Sequence, residues 1–140
     1  MSYARMEFNH LPNLADLFTG DEIDAALFTG GLVVEADAKR AAPVVTGNLR
    51  RSLHTVGNNR LHSEGGDAPP LPSPGHGEVH VGTNVEYARR IELGFVGADS
   101  LGRVYNQEGH PYLLPALEQN KGEIERTIAA SLNDLIEKLP

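Results

Sequence analysis

A chain of 140 residues with 40% apolar residues, 6% aromatics and no tryptophan can fill one modest aliphatic core, so a single domain over residues 1–140 is expected. The formal net charge of −7 argues against a protein that coats nucleic acid, which would show a basic face, and the absence of cysteine removes disulfide frameworks and thiolate metal sites. No stretch approaches the ~20 continuous apolar residues of a bilayer span, and no basic-then-apolar opening marks a secretory signal, so a soluble protein made in a cytoplasm is expected.

Met6-Glu7-Phe8 alternates and predicts a short strand. Leu11, Leu14, Leu17 and Phe18 fall at helical steps, which predicts a helix over Leu11–Phe18 with Pro12 in its first turn and Thr19-Gly20 as its break. The first long helix is predicted over Asp21–Ala42. Asp21, Glu22 and Asp24 crowd its start and Lys39 and Arg40 its last turn, each on the favourable side of the helix dipole. Ile23, Leu27, Gly30, Val34, Ala38 and Ala41 recur at steps of three and four, and Pro43 ends the run. Gly30-Gly31 costs ~1 kcal/mol per glycine against alanine; either the helix bends there or another backbone passes close by.

Thr46 or Asn48 can cap a single helical turn through Leu49, Arg50 and Arg51, and Ser52–Val56 then alternates as a strand. Gly57–Gly77 holds NN, GG, PP and two further prolines, and is expected as a long projecting loop joining two antiparallel strands. Glu78–Val81 is the returning strand. Gly82-Thr83-Asn84 turns into a short central helix of about two and a half turns, apolar at Val85, Ala88 and Ile91, with Thr83 or Asn84 as its cap and Gly94 closing it in a left-handed conformation. Phe95–His110 is a second Gly-rich loop, with Val104-Tyr105 as one arm of a small hairpin. Pro111–Leu139 is predicted as one closing helix with Pro115 in its first turn and Leu117, Ile124, Ile128, Leu132, Leu135 and Leu139 as its apolar stripe. The fold class expected is α+β: a small antiparallel sheet packed by a long N-terminal helix, a short central helix and a long C-terminal helix, with two long extended loops.

Candidate chemistry is sparse. Six histidines include His54 and His80, placed to face each other across a strand pair, but no HExxH pair and no cysteine partner accompanies them, so no metal site is expected. No GxSxG elbow, GK[ST] phosphate cradle or GxGxxG turn is present, so neither a catalytic residue nor a cofactor is expected. Arg50, Arg51, Arg60, Arg89, Arg90 and Arg103 are half of the 12 basic residues. They either decorate solvated faces or meet an acidic surface of another subunit, such as its closing helix, since arginine forms paired, directional bonds to carboxylates. Tyr87 and Tyr112 are expected to pack with a wet hydroxyl rather than bind a ligand.

Three stretches together resemble a known family: Ala42–Leu53 (APVVTGNLRRSL), Val81–Gly94 (VGTNVEYARRIELG) and His110–Glu118 (HPYLLPALE). Pro43, Thr46, Gly47, Leu49 and Ser52 match a proline–x–x–TG–x–L–x–x–S turn. Val81, Gly82, Thr83, Tyr87, Ala88, Glu92 and Gly94 match a VGT…YA…E–x–G segment. Pro111, Leu114, Pro115, Ala116 and Leu117 match the aromatic–L–x–PAL start of a final helix. The pattern is similar to that of phage neck and tail-completion proteins named for gene product ten of a lambdoid coliphage. In two places the chain departs from it: Phe95–His110 carries one arginine where the family is often basic, and the Gly57–Gly77 loop is proline-rich.

The resemblance implies a non-enzymatic structural subunit of the neck, or head–tail connection, of a long-tailed double-stranded DNA phage. It implies self-association into a ring, hexameric by the symmetry of such necks, and contact with adjacent neck and tail proteins: the head-closure or stopper protein and the tail terminator or tail tube. Duplex DNA would pass through the lumen without specific binding, no membrane would be involved, and the protein would reside in the virion after assembly in the host cytoplasm. Arg50, Arg51, Arg89, Arg90, Arg103, Asp67 and Tyr105 are the residues expected at the subunit interface. The alternative is a non-catalytic cytoplasmic adaptor that binds another protein.

Overall fold

The computed structural model describes residues 2–7, 17–44, 47–63 and 69–138, with the backbone alone described for 2–7. The longest element starts where Thr19 offers a hydroxyl to the Glu22 N–H at 3.1 Å while the Glu22 carboxylate accepts the Thr19 N–H at 2.9 Å. This reciprocal capping box satisfies donors that a helix start leaves open. Helix α1, Gly20–Ala41, runs from there to the residues just before Pro43, within a residue of its expected bounds. Of the helix expected over Leu11–Phe18, all but the last two residues lie outside the described ones; Leu17 and Phe18 make a turn and a bend.

Strands β1 (Ser2–Glu7), β2 (His54–Gly57), β3 (Arg60–His62) and β4 (Glu78–Thr83) form one antiparallel sheet in the order β1-β4-β2-β3. Strand β1 begins earlier than its alternation announces because β4 offers a partner along its whole length, from Ser2↔Thr83 to Glu7↔Glu78. Phe8, the expected end of that strand, is outside the described residues. The loop between β2 and β4 opens with a hairpin: Asn58-Asn59 turns the chain, Asn59 takes φ +55, and β3 pairs back on β2. Asparagine tolerates the left-handed region better than most residues.

Alternation along β2 and β4 assigns the two faces of the sheet. Thr55, Val79 and Val81 face α1; His54, Val56 and His80 face the other way. The two interior glycines of α1, Gly30 and Gly31, sit at contacts. A Cβ on Gly31 would lie 2.7 Å from Thr55 Cγ2 and 3.3 Å from Val79, and one on Gly30 would lie 2.9 Å from the Ile128 side chain. What passes close to the helix is therefore a set of side chains, from the sheet on one side and the last helix on the other, rather than another backbone.

Four shorter helices complete the described fold: α2 (Asn48–Ser52), α3 (Ala88–Leu93), α4 (Leu113–Gln119) and α5 (Lys121–Glu137). The central helix α3 is shorter than its sequence pattern, because Val85–Tyr87 form a turn that ends in the Ala88 N–H bonding to the Val85 carbonyl. The closing helix is not continuous, a correction with a local cause. The Asn120 side-chain amide donates to the Ala116 carbonyl and to Asp37 on α1, both at 2.8 Å. That bond takes the acceptor the next helical turn would use and ties the break to α1. Helix α5 restarts with the Ile124 N–H on the Asn120 carbonyl. The core joins Val34 and Ala38 of α1, Leu49 of α2, Val81 of β4, Ala88 of α3 and Leu113 and Ala116 of α4 around the fully buried Tyr112. Strands β5 (Phe95–Ala98) and β6 (Val104–Gln107) form a separate two-stranded hairpin. The α+β class and its arrangement of long, short and long helices over an antiparallel sheet are as expected from the sequence.

Candidate functional site

The motif residues come together as a scaffold. Gly47 takes φ +80 before α2, a conformation that favours glycine, and its carbonyl receives the Arg51 N–H at 3.0 Å. One face of α2 buries Leu49 and Ser52. Ser52 Oγ lies 2.7 Å from the Leu49 carbonyl and 2.7 Å from Thr83 Oγ1, which accepts the Val85 N–H at 3.1 Å. A carbonyl accepts and an N–H donates, so one proton direction satisfies the chain: Val85 donates to Thr83, Thr83 to Ser52, and Ser52 to Leu49. This short relay locks α2 to the end of β4 and the start of α3.

Glu92 joins α3 to α4. Its carboxylate, 8% exposed, accepts the N–H groups of Tyr112 at 2.9 Å, Leu113 at 3.1 Å and Leu114 at 2.9 Å. These are orphan donors at a helix start, and a negative group there also faces the positive end of the dipole. Tyr112 returns a bond from its hydroxyl to the Ala88 carbonyl at 3.2 Å, so that hydroxyl is buried rather than wet. Gly94 closes α3 at φ +80 with no room for a side chain: a Cβ would lie 2.7 Å from the Gln107 carbonyl oxygen and 2.8 Å from the Gly109 nitrogen. Pro115 stands in the first turn of α4 and Leu117 is packed against the core. Gly82 lies opposite both Tyr3 and His54 in the sheet register. Pro43 and Pro111 lie in irregular chain, and Thr46 is outside the described residues.

The proline-rich segment after β3 is held at both ends by buried carboxylates of α1. At its start Glu35, 3% exposed, accepts from Thr55 Oγ1 and Ser63 Oγ and lies 2.8 Å from His62 Nδ1, while Lys39 reaches Ser63 Oγ at 2.8 Å. At its end Asp24, 1% exposed, accepts the Gly77 N–H at 2.7 Å and meets His76 Nδ1. Between them Leu71 and Pro74 are buried three residues apart, the repeat of an extended polyproline chain. The Leu71 N–H donates to His54 Nε2 at 2.8 Å, and Asn84 and Asn58 hold the carbonyls of Pro69, Pro70 and Pro74. The described part of Gly57–Gly77 is thus a short strand followed by a strap over the outer face of the sheet. His54 and His80 share that face, but His54 stands opposite Gly82 and His80 opposite Val56. Ser63, Lys39 and Glu35 resemble a nucleophile set, yet the lysine donates to the serine and the serine to the carboxylate, an arrangement that fastens the strap.

The β5–β6 hairpin stands apart from this body. On one face Phe95 and Tyr105 have ring centroids 6.1 Å apart, and the Arg90 guanidinium lies 4.2 Å over the Phe95 ring. Its tip is ordered by Asp99, which accepts the N–H groups of Leu101 and Arg103 and pairs with the Arg103 guanidinium. Desolvation pushes the Asp99 carboxyl up, but the bonds from Arg103, Leu101 and Tyr105 together hold it below its ordinary value. On the opposite face Val96 and Val104 are 79% and 82% exposed, with Leu101 at 76% on the turn. No other described element covers this face.

Of the expected interface residues, the structure places Arg103 and Tyr105 in the hairpin and Arg90 at its base. Arg50 and Arg51 lie on the exposed side of α2 and Arg89 on that of α3. Asp67 is outside the described residues. Asp24, Glu35 and the Thr19–Glu22 box were missed in the sequence; the box was legible as T-x-x-E ahead of an apolar run, whereas the two buried acids resemble any helix-surface acid. Among the described residues no group of three or more His, Asp or Glu side chains is placed to hold a metal ion, and no helix is long and apolar enough to cross a membrane.

Residues 10–94 match the family model described as "Bacteriophage HK97-gp10, putative tail-component". No curated protein and no solved structure matches the chain. The matched stretch is well over half of the sequence and contains the first two motifs. It stops at Gly94, where the hairpin begins.

Proposed function

Because the chain belongs to the HK97-gp10-like phage tail-component family, we propose that it is a non-enzymatic ring subunit of the neck, joining the capsid connector to the tail. Six copies close the ring, the head-closure and tail-terminator or tail-tube proteins lie above and below it, and duplex DNA crosses its lumen. The observation that carries this reading is the hairpin. An isolated two-stranded ribbon is marginal in water, and this one turns Val96, Val104 and Leu101 outward. A neighbouring subunit is the natural cover for such a face. The strap is the poorer candidate for an assembly arm, since its described residues are fastened to the chain's own sheet and to α1.

The test is to replace Val96–Asn106 by a Gly-Gly turn and to follow both assembly and folding. The body should melt as before while ring formation by the purified chain, and head–tail joining in particles, are lost. Unimpaired joining by the shortened chain would overturn the reading of the hairpin. A subunit absent from the neck in electron micrographs of the assembled particle would overturn the reading of the protein.

A further inference from the structure

We infer that the exposed arginines of α2 and α3 form a docking patch for the closing helices of a second copy of this chain; the inference rests on the ring reading above. In the described structure Arg40, Arg60, Arg103 and Arg126 each pair with a carboxylate. Arg50, Arg51, Arg89 and Arg90 have no described carboxylate within ion-pair distance, although the chain has seven more acids than bases. Their positions are equivalent. Each short helix buries its neighbouring residues, Leu49 and Ser52 in α2 and Ala88 and Glu92 in α3, and leaves an Arg-Arg pair exposed.

The two helices are also held side by side. Asn48 Nδ2 donates to the Tyr87 hydroxyl at 3.3 Å, and the Ser52–Thr83 bond fixes the ends of the same segments. The four arginines therefore sit on two helices tied to each other beside the half-exposed Tyr87, with the Arg90 guanidinium also stacked over the Phe95 ring. Arginine and tyrosine are characteristic of protein interfaces, where a guanidinium binds a carboxylate through two parallel bonds.

The complementary charge is on the opposite end of the sequence. Glu118, Glu125, Asp134 and Glu137 of α4 and α5 are exposed, and none has a described cation within ion-pair distance. These acids flank both sides of the closing helices, and the proposed contact sets the basic corner of one copy against that acidic element of the next. Such a heterologous contact closes into a ring when its rotation permits. Duplex DNA is a weaker fit, because a chain of net charge −7 repels a dense polyanion as a whole.

The test uses the full chain in two charge-reversed forms. One carries Arg50→Glu, Arg51→Glu, Arg89→Glu and Arg90→Glu; the other carries Glu118→Lys, Glu125→Lys, Asp134→Lys and Glu137→Lys. Native mass spectrometry reads ring formation, and circular dichroism reads folding. Each form alone should raise the concentration for half-assembly by roughly tenfold or more. An equimolar mixture should restore rings in which the two forms alternate, since every contact is then between opposite charges. Should the reversed patch unfold the chain, arginine-to-glutamine changes at the same four positions give the same expected weakening in a milder form. Wild-type assembly by the arginine variants, or no rescue in the mixture, would overturn the inference and leave the ring reading standing. A wild-type chain that stays monomeric at every concentration overturns both. Rings that form normally while the arginine variant loses retention of duplex DNA at low salt would assign the patch to phosphate instead.

Discussion

Replacing Glu92 by alanine removes one acceptor from three backbone donors at once. Tyr112 and Leu113 are 0% and 4% exposed, so their N–H groups have no ready access to water, whereas Leu114 is 53% exposed and can be rehydrated. A buried donor left unsatisfied costs ~1–3 kcal/mol, and loss of a negative group at a helix start costs ~0.3–1 kcal/mol more. Two stranded donors and the dipole together give a loss of about 2–7 kcal/mol for Glu92→Ala. Glu92→Gln keeps an acceptor oxygen but not the charge, and should cost about 1–2 kcal/mol. A domain of this size is stable by ~5–15 kcal/mol, so the alanine variant forfeits a large part of its margin. Urea unfolding followed by far-ultraviolet circular dichroism measures this directly, with the midpoint falling and the slope unchanged. An alanine variant within ~0.5 kcal/mol of wild type, the range of an ordinary surface change, would refute the assignment of Glu92 as the staple between α3 and α4.

Gly94→Ala should destabilise by more than the ~1 kcal/mol of a strained left-handed residue, because the new Cβ meets backbone of Gln107 and Gly109 at under 3 Å; a thermal melt shows the loss. Gly31→Ala gains ~1 kcal/mol of helix propensity but forces a Cβ to 2.7 Å from Thr55 Cγ2. Overpacking costs ~1–3 kcal/mol, so the net change should be neutral to destabilising, and clear stabilisation in urea would contradict the close packing of α1 on the sheet. The bonds from Arg103, Leu101 and Tyr105 hold the Asp99 carboxyl below the usual carboxylate range in the folded hairpin. The order it contributes is therefore complete at neutral pH and is lost as pH falls through that lowered value. The protection of the Leu101 and Arg103 amides, corrected for intrinsic exchange, should fall in acid, and Asp99→Asn, which keeps an acceptor oxygen but not the charge, should show that weaker protection with no dependence on pH.

Helix α1 was legible because several local signals agreed: acids at its start, bases in its last turn, an apolar stripe between them and Pro43 beyond it. The two central strands followed from alternation, and of the β5–β6 hairpin one arm, Val104-Tyr105, was legible while Phe95–Ala98 was expected as loop. What escaped the sequence was decided by distant partners. Asn120 breaks the closing helix because Asp37, some eighty residues earlier, takes one of its amide protons. The same distant bond and the Arg40 guanidinium hold the Asp37 carboxyl below its ordinary value, with Arg40 the larger influence. The proline-rich segment has too few apolar residues to fix itself, yet two buried carboxylates of α1 and His54 of β2 give it attachment points.

The motif residues carry a second lesson about where function resides. Ser52, Thr83, Glu92, Gly94 and Tyr112 act on one another, and each is explained by a bond or a close approach inside the chain. The residues that resemble the family's motifs thus hold the body together, while the hairpin face and the arginine pairs proposed for partners lie beside it. In the sequence Val96 reads as part of a Gly-rich loop and Val104 as one arm of a hairpin; only their register in the hairpin sets them on one uncovered face. An apolar surface gains ~25 cal/mol for each Å² withdrawn from water, and that gain is still available to whichever neighbour covers it. A rigid scaffold with an uncovered arm can thus keep its fold while the arm changes with its partners, and the family match ends where that arm begins.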